Sequence, residues 1–158
     1  MSVARVVVGL GSNLGDRVEE VRRGFEALEG IGRVVRRSSL YRTAPWGKTD
    51  QPEFVNAIAI VETPASPREV LASLKAIERR RGRVAGERWG PRTLDLDLLA
   101  YDDAVIDEPG LSVPHPGLKE RAFVLVPLAE VDPSYAADRD ALPESELAGV
   151  VGLGSPFS

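Results

Sequence analysis

The chain has 158 residues, 43% of them hydrophobic and 28% charged, a size and balance that suit one globular domain. It has no cysteine and a single histidine, which excludes disulfides, thiolate chemistry, Cys-based zinc sites and multi-histidine metal centres. The net charge of −4 argues against a surface that coats nucleic acid, and no apolar run approaches the roughly 20 residues of a membrane span, so a cytoplasmic protein is expected.

Val3 to Leu10 is β-branched and apolar, too short for a signal peptide, and reads as a first buried strand. Gly9-Leu10-Gly11-Ser12-Asn13-Leu14-Gly15 reads as a turn. Asp16 then caps a helix, with Glu19 three residues on and Val18, Val21, Phe25 and Leu28 as its apolar stripe. Gly30 to Gly32 stop it. Arg33 to Thr43 is expected as one strand, Ala44 to Pro52 as a loop, and Phe54 to Thr63 as another strand. Ser66-Pro67-Arg68-Glu69 is a capping box with proline at the first helical position. Val70, Leu71, Leu74 and Ile77 form the stripe of that second helix, and Gly82 ends it. Thr93 to Tyr101 is a fourth strand. The order βαββαβ defines an α+β, ferredoxin-like core. Its antiparallel sheet is expected to gain extra strands after Asp102 and to carry helices on both faces, one of them from about Gly117 to Val131. Residues 1–158 read as a single domain, with 132–158 a weakly patterned tail holding a short helix near Glu144 to Val150.

The most informative stretch is Arg88-Trp89-Gly90-Pro91-Arg92-Thr93-Leu94-Asp95-Leu96-Asp97. In a strand, side chains at i and i+2 share a face, so Asp95 and Asp97 project together while Leu94, Leu96 and Leu98 point to the core. Adjacent carboxylates repel unless a cation sits between them. Oxygen ligands of this kind suit Mg²⁺, which takes one or two carboxylates together with the oxygens of a substrate phosphate. Arginines just upstream supply donors for that phosphate. Lys75, Arg79, Arg80, Arg81, Arg83, Arg88 and Arg92 crowd one segment; those up to Arg81 also suit a helix C-terminus, whereas Arg83, Arg88 and Arg92 lie beyond it.

Other residues admit two readings. Gly9-x-Gly11 lacks the spacing of a dinucleotide fingerprint and the Gly-Lys of a P-loop, which leaves a structural turn or an echo of nucleotidyltransferases. Asn56 shares a face with Phe54, Ile58 and Ile60. It is either a backbone-satisfied structural asparagine or a carboxamide that reads a planar heterocycle. Phe54 and Phe123 are core residues or stacking faces. His115, held between Pro114 and Pro116, is structural or a phosphate contact near Lys119 and Arg121. Trp89, in so polar a loop, reads as part of a closing lid.

Several motifs occur in order: Gly11-Ser12-Asn13-Leu14-Gly15-Asp16-Arg17, Tyr41-Arg42-Thr43-Ala44-Pro45-Trp46-Gly47, Asp50 to Asn56, Gly82-Arg83-Val84, Arg88 to Asp97, and Val113-Pro114-His115-Pro116 with Glu120 to Phe123. Together, from about Val6 to Pro133, they resemble the 6-hydroxymethyl-7,8-dihydropterin pyrophosphokinase family of folate biosynthesis. The resemblance implies transfer of the β,γ-diphosphate of ATP to the pterin hydroxymethyl group, with release of AMP, by a monomer. It implies that Asp95 and Asp97 hold two Mg²⁺ ions bound with ATP, and that Arg83 and Arg92 stabilise the transition state as the Gly82 to Arg92 loop closes. Leu71, Lys75, Glu78, Arg88, Trp89, Arg92, Leu98, Ser112, His115, Lys119 and Arg121 match positions at or around the ATP. Thr43, Ala44, Pro45, Trp46, Phe54, Asn56, Asp95 and Phe123 match the pterin pocket. The chain departs from the pattern at Ala85, where the family usually has arginine, and at Gly117 and Lys119, where arginine and histidine are common. Two competitors remain: a nucleotide-binding ferredoxin-like module without catalysis, and a nucleotidyltransferase that would release pyrophosphate.

Overall fold

The computed structural model describes residues 2–13, 15–43, 53–82 and 94–157. The β-branched run at the start forms β1 (Ala4–Ser12), a strand covered on both faces. Gly9, Gly11 and Ser12, which the local pattern assigns to a turn, belong to this strand; the left-handed backbone comes only at Gly15, where φ is 68°. Helix α1 (Arg17–Leu28) starts at Asp16, whose side chain accepts a hydrogen bond from the Glu19 amide. Val21, Phe25 and Leu28 are buried, but Val18 is 41% exposed, so the apolar stripe begins one turn later than its sequence suggests.

The expected second strand is split into β2 (Arg33–Arg37) and β3 (Leu40–Thr43). Ser38 causes the break. Its amide donates to the Ile58 carbonyl at 2.9 Å, but the Ile58 amide turns to the Ser38 hydroxyl at 2.8 Å, and that hydroxyl donates onward to the Ser39 carbonyl. A side chain has replaced a backbone acceptor in the ladder. Strand β4 (Phe54–Thr63) runs alongside both pieces. Helix α2 (Pro67–Arg80) carries the reciprocal capping box: the Glu69 amide donates to Ser66 Oγ and the Ser66 amide donates to the Glu69 carboxylate. The arginine-rich C-terminal turn and Gly82, with φ of 93°, end it.

Beyond it come β5 (Asp95–Tyr101), the short hairpin of β6 (Ile106–Glu108) and β7 (Leu111–Val113), and α3 (Ala122–Val131). Helix α3 starts five residues later than expected because the chain first turns at His115 to Gly117, where the Gly117 amide donates to His115 Nδ1 at 3.0 Å. The tail is ordered as a 3₁₀ turn, α4 (Ala136–Asp140), α5 (Glu144–Ala148) and β8 (Val150–Gly154). Its final strand, which the sequence does not announce, joins the sheet.

The strands lie in the order β5-β1-β4-β3-β8, with β2 also on β4, and every pairing is antiparallel. Counting β2 and β3 as one interrupted strand, the core order is fourth, first, third, second, that of a ferredoxin-like sheet. Helices α1 and α2 cover one face over Val6, Val8, Leu10, Val55 and Leu96, while α3 covers the other over Val7, Ile58, Ile60 and Leu99. Helices on both faces were expected, and the structure has them. Among the described residues, no helix is long and apolar enough to cross a membrane.

Ser38→Ala would leave the buried Ile58 amide without its acceptor. The expected loss is about 1–3 kcal/mol, read as a lower urea midpoint at unchanged slope.

Candidate active site

The pairing register assembles one face of the sheet. Asp95 lies opposite Gly11, Gly11 opposite Asn56, and Asn56 opposite Tyr41. Asp97 lies opposite Gly9, and Gly9 opposite Ile58. Directly opposed residues project to the same side, here the α3 side, since Ile58 packs beneath α3 and the Tyr41 hydroxyl donates to Glu130 of α3 at 2.6 Å. With strands about 4.8 Å apart, Asp95 and Asn56 stand roughly 10 Å from each other across a residue with no side chain. Gly11 has to be glycine for this arrangement: a Cβ there would lie 2.9 Å from Asn56 Oδ1. At Gly9 a Cβ would meet Leu99 Cδ1 at 3.2 Å. The central strand therefore lays a bare trough between a carboxylate pair and a carboxamide, the use of strand glycine that lets another group approach the backbone.

The carboxamide is oriented. Asn56 Nδ2 donates to the hydroxyl of Thr43 at 2.8 Å, and Thr43 itself is buried. Phe54, two residues before Asn56 on β4, faces the same side and is half-buried. On β5, Leu94, Leu96 and Leu98 are buried while Asp95 is half-buried and Asp97 exposed, as the alternation requires. The two aspartate Cα atoms are about 7 Å apart along the strand, close enough for their carboxylates to share bound cations. Among the described residues, no group of three or more acidic, histidine or cysteine side chains forms a metal cluster. A pair of hard oxygen donors fits Mg²⁺ that draws its remaining ligands from water and a phosphate. Glu78 of α2 is 4% exposed and accepts a hydrogen bond from the Leu96 amide at 2.8 Å, between the two aspartates.

A second set of groups gathers before and at the start of α3. The His115 amide donates to the Leu99 carbonyl, and its Nδ1 accepts from Gly117, which leaves the neutral ring with its proton on Nε2. Burial lowers the His115 pKa, and the Arg121 charge adds to the effect. Arg121 folds over Gly117, where a Cβ would stand 2.8 Å from its Nε, and its guanidinium carbon lies 5.8 Å from the centre of the Phe123 ring. Gly117, a departure from the family pattern, thus gives Arg121 its room. Phe123 packs against the α3-side core. Ser112 is half-buried on β7, and Lys119 is exposed.

Not every expected residue reaches this face. Leu98 is buried in the layer under α1 and α2, and Leu71 packs against that same layer. Lys75 is exposed on α2. Ala44, Pro45, Trp46, Arg83, Ala85, Arg88, Trp89 and Arg92 lie outside the described residues. The sequence does not single out Tyr41 and Glu130 as site residues, and it leaves Gly9-x-Gly11 as a turn or a nucleotidyltransferase echo, whereas the structure places both glycines in the central strand. The available signal was the i, i+2 spacing of the glycines, which in a strand puts two bare positions on one face.

Fold and face together define a ferredoxin-like α+β domain whose sheet presents two carboxylates and a clamped carboxamide beside one glycine strand. The chain belongs to the 7,8-dihydro-6-hydroxymethylpterin-pyrophosphokinase family, whose pattern matches residues 7–133. It is 43% identical over 155 residues to the 2-amino-4-hydroxy-6-hydroxymethyldihydropteridine pyrophosphokinase of Methylorubrum extorquens, covering 94% of this chain and 98% of that one. The Pseudomonas aeruginosa protein of the same name is 45% identical over 145 residues, 90% of each chain. A similar fold occurs in a crystal structure of wild-type Plasmodium falciparum HPPK-DHPS, with a TM-score of 0.72 at 16% identity, covering 88% of this chain and 43% of that longer one.

Because the His115 pKa is lowered on folding, the unfolded chain takes up a proton at higher pH than the folded one. Stability is therefore complete above the unfolded value of about 6.5 and falls as pH drops through that value toward the lowered folded one. Melting temperatures of the ligand-free protein from about pH 7.5 to 5.5 should decline less steeply in His115→Gln than in the wild type; parallel profiles would assign the decline to other groups.

Proposed function

We propose that this protein transfers the β,γ-diphosphate of ATP to the hydroxymethyl group of 6-hydroxymethyl-7,8-dihydropterin, releasing AMP, in folate biosynthesis. Family membership and the names of its relatives support the reaction. The observation that carries the reading is the row Asp95, Gly11, Asn56, which sets carboxylate oxygens and a clamped carboxamide about two strand spacings apart on one face.

In this reading Asn56, oriented by Thr43, reads the hydrogen-bonding edge of the pterin, with one donor edge and one acceptor edge. Phe54 and Phe123 supply its stacking faces, and Ala44, Pro45 and Trp46 are assigned to the pterin by their match to the family motif. Asp95 and Asp97 would hold the two Mg²⁺ ions expected with ATP, and metal bound there would neutralise phosphate charge and lower the pKa of the substrate hydroxyl. The hydroxymethyl oxygen forms its bond to the β-phosphorus as the bond to the AMP oxygen breaks in line, and the hydroxyl proton is lost to solvent. The protein's task is positioning and charge stabilisation. His115, through its Nε2–H, and Arg121, Ser112 and Lys119 are the described donors for ATP. Arg83, Arg88, Trp89 and Arg92 are assigned to the ATP phosphates by their match to the family motif, with Arg83 and Arg92 as the transition-state stabilisers. The enzyme acts as a cytoplasmic monomer, without membrane or nucleic acid.

Incubation with MgATP should yield AMP and a diphosphorylated pterin only when the pterin is added. ADP or pyrophosphate as product would move the chain to another transferase class. Asp97→Ala should abolish turnover, and activity surviving within about tenfold would overturn the two-carboxylate reading. Gly11→Ala would push the Asn56 amide off Thr43, raising KM for the pterin by about tenfold while leaving KM for ATP nearly unchanged. Equal rises for both substrates would remove Asn56 from the pterin edge.

A further inference from the structure

Glu78 occupies a position suited to an apolar residue. Its neighbours on the buried side of α2 are Val70, Leu74 and Ile77, all within the core against the sheet. A carboxylate buried there costs free energy unless its oxygens are bonded. One of them is bonded to the backbone: Oε2 accepts from the Leu96 amide at 2.8 Å.

That amide has a particular place. β5 ends the sheet on one side, its ladder partner being β1, and Leu96 is the residue between Asp95 and Asp97. An edge strand presents amides with no neighbouring strand to receive them. The side-chain period of a strand is two, so a slip or a roll of β5 by one residue carries both aspartates from the trough to the face under α1 and α2. Burial of Leu96 and Leu98 opposes such a slip on one side only. The Glu78 bond reaches the strand from its open edge, at the length of an ordinary ladder bond.

We infer that Glu78 is a positioning residue for the reaction: by receiving the Leu96 amide it holds β5 so that Asp95 and Asp97 together face the trough. The inference rests on the proposed metal-binding role of the two aspartates. It assigns the Glu78 carboxylate to the strand, whereas the family resemblance alone sets it beside the nucleotide.

Two conservative variants separate these roles. Glu78→Gln keeps a carbonyl oxygen at the same reach but removes the charge; Glu78→Asp keeps the charge but withdraws the acceptor by one methylene. Mn²⁺ binding in the presence of the non-hydrolysable α,β-methylene analogue of ATP, followed by electron paramagnetic resonance, reports the carboxylate pair. Exchange of the Leu96 amide in the ligand-free protein, followed by NMR, reports the bond itself. Glu78→Asp should speed Leu96 exchange and weaken Mn²⁺ binding, each by about tenfold, while Glu78→Gln stays within about threefold of the wild type in both. The reverse order, with Gln weak and Asp normal, would make charge at the ligand the role of Glu78 and overturn the inference. So would faster Leu96 exchange in Glu78→Asp with undiminished Mn²⁺ binding. Asp97→Ala, measured in parallel, tells the two levels apart. If it too binds Mn²⁺ like the wild type, the carboxylate-pair reading fails and takes this one with it. If it alone loses Mn²⁺, only the role of Glu78 is lost.

Discussion

β1 is hydrogen-bonded along both edges, to β4 on one side and β5 on the other, and the geometry of the site follows from that double pairing. A strand held on both sides cannot rotate, so the pleat decides which side chains of all three strands look toward α3. Placing glycine at positions 9 and 11 of the held strand removes the side chains that would otherwise fill the middle of this face. The geometry of this face is thereby set by backbone bonds rather than by a chain of packed side chains.

The α3 layer is tied to the same ladder from outside. Glu130 near the end of α3 accepts from the amide and hydroxyl of Ser39 and from the hydroxyl of Tyr41. Tyr41 lies opposite Asn56, so the polar anchor of the helix and the carboxamide of the site share one register row. Burial, with the Glu130 carboxylate as its acceptor, holds the Tyr41 phenol above its ordinary pKa, which keeps its proton in the bond. Thr43, two residues further on β3, then meets Asn56 with little freedom to drift.

Features that depend on local periodicity were legible in the sequence. The Asp95, Asp97 alternation, the Asp16 cap and the Ser66 to Glu69 capping box each involve residues within a few positions of one another, and each appears as expected. What sequence reading missed depends on distant partners. The break at Ser38 needs the amide of Ile58, twenty residues on, and the orientation of Asn56 needs Thr43, thirteen residues back. Gly9 and Gly11 look like turn residues until the flanking strands are known to continue past them. Val150-Val151-Gly152-Leu153-Gly154 has neither alternation nor helical spacing; β3 supplies the partner that makes it a strand.

That last strand lies beyond the residues matched to the family, yet it bonds the far side of β3, with Val150 opposite Thr43. Past it, the Phe157 ring sits 5.8 Å from Phe25 of α1 and beneath the guanidinium of Arg37 at 4.0 Å. The chain's final turn is thus pinned to the opposite layer, and β3 is held between two strands instead of fraying as an edge. The hydrogen bonds of the tail and of the carboxamide side of the trough thus meet on one strand, β3. A peptide-bond cut between Gly149 and Gly152 would reach Asn56 as a loss of stiffness in β3, felt two strand spacings from the nearest aspartate.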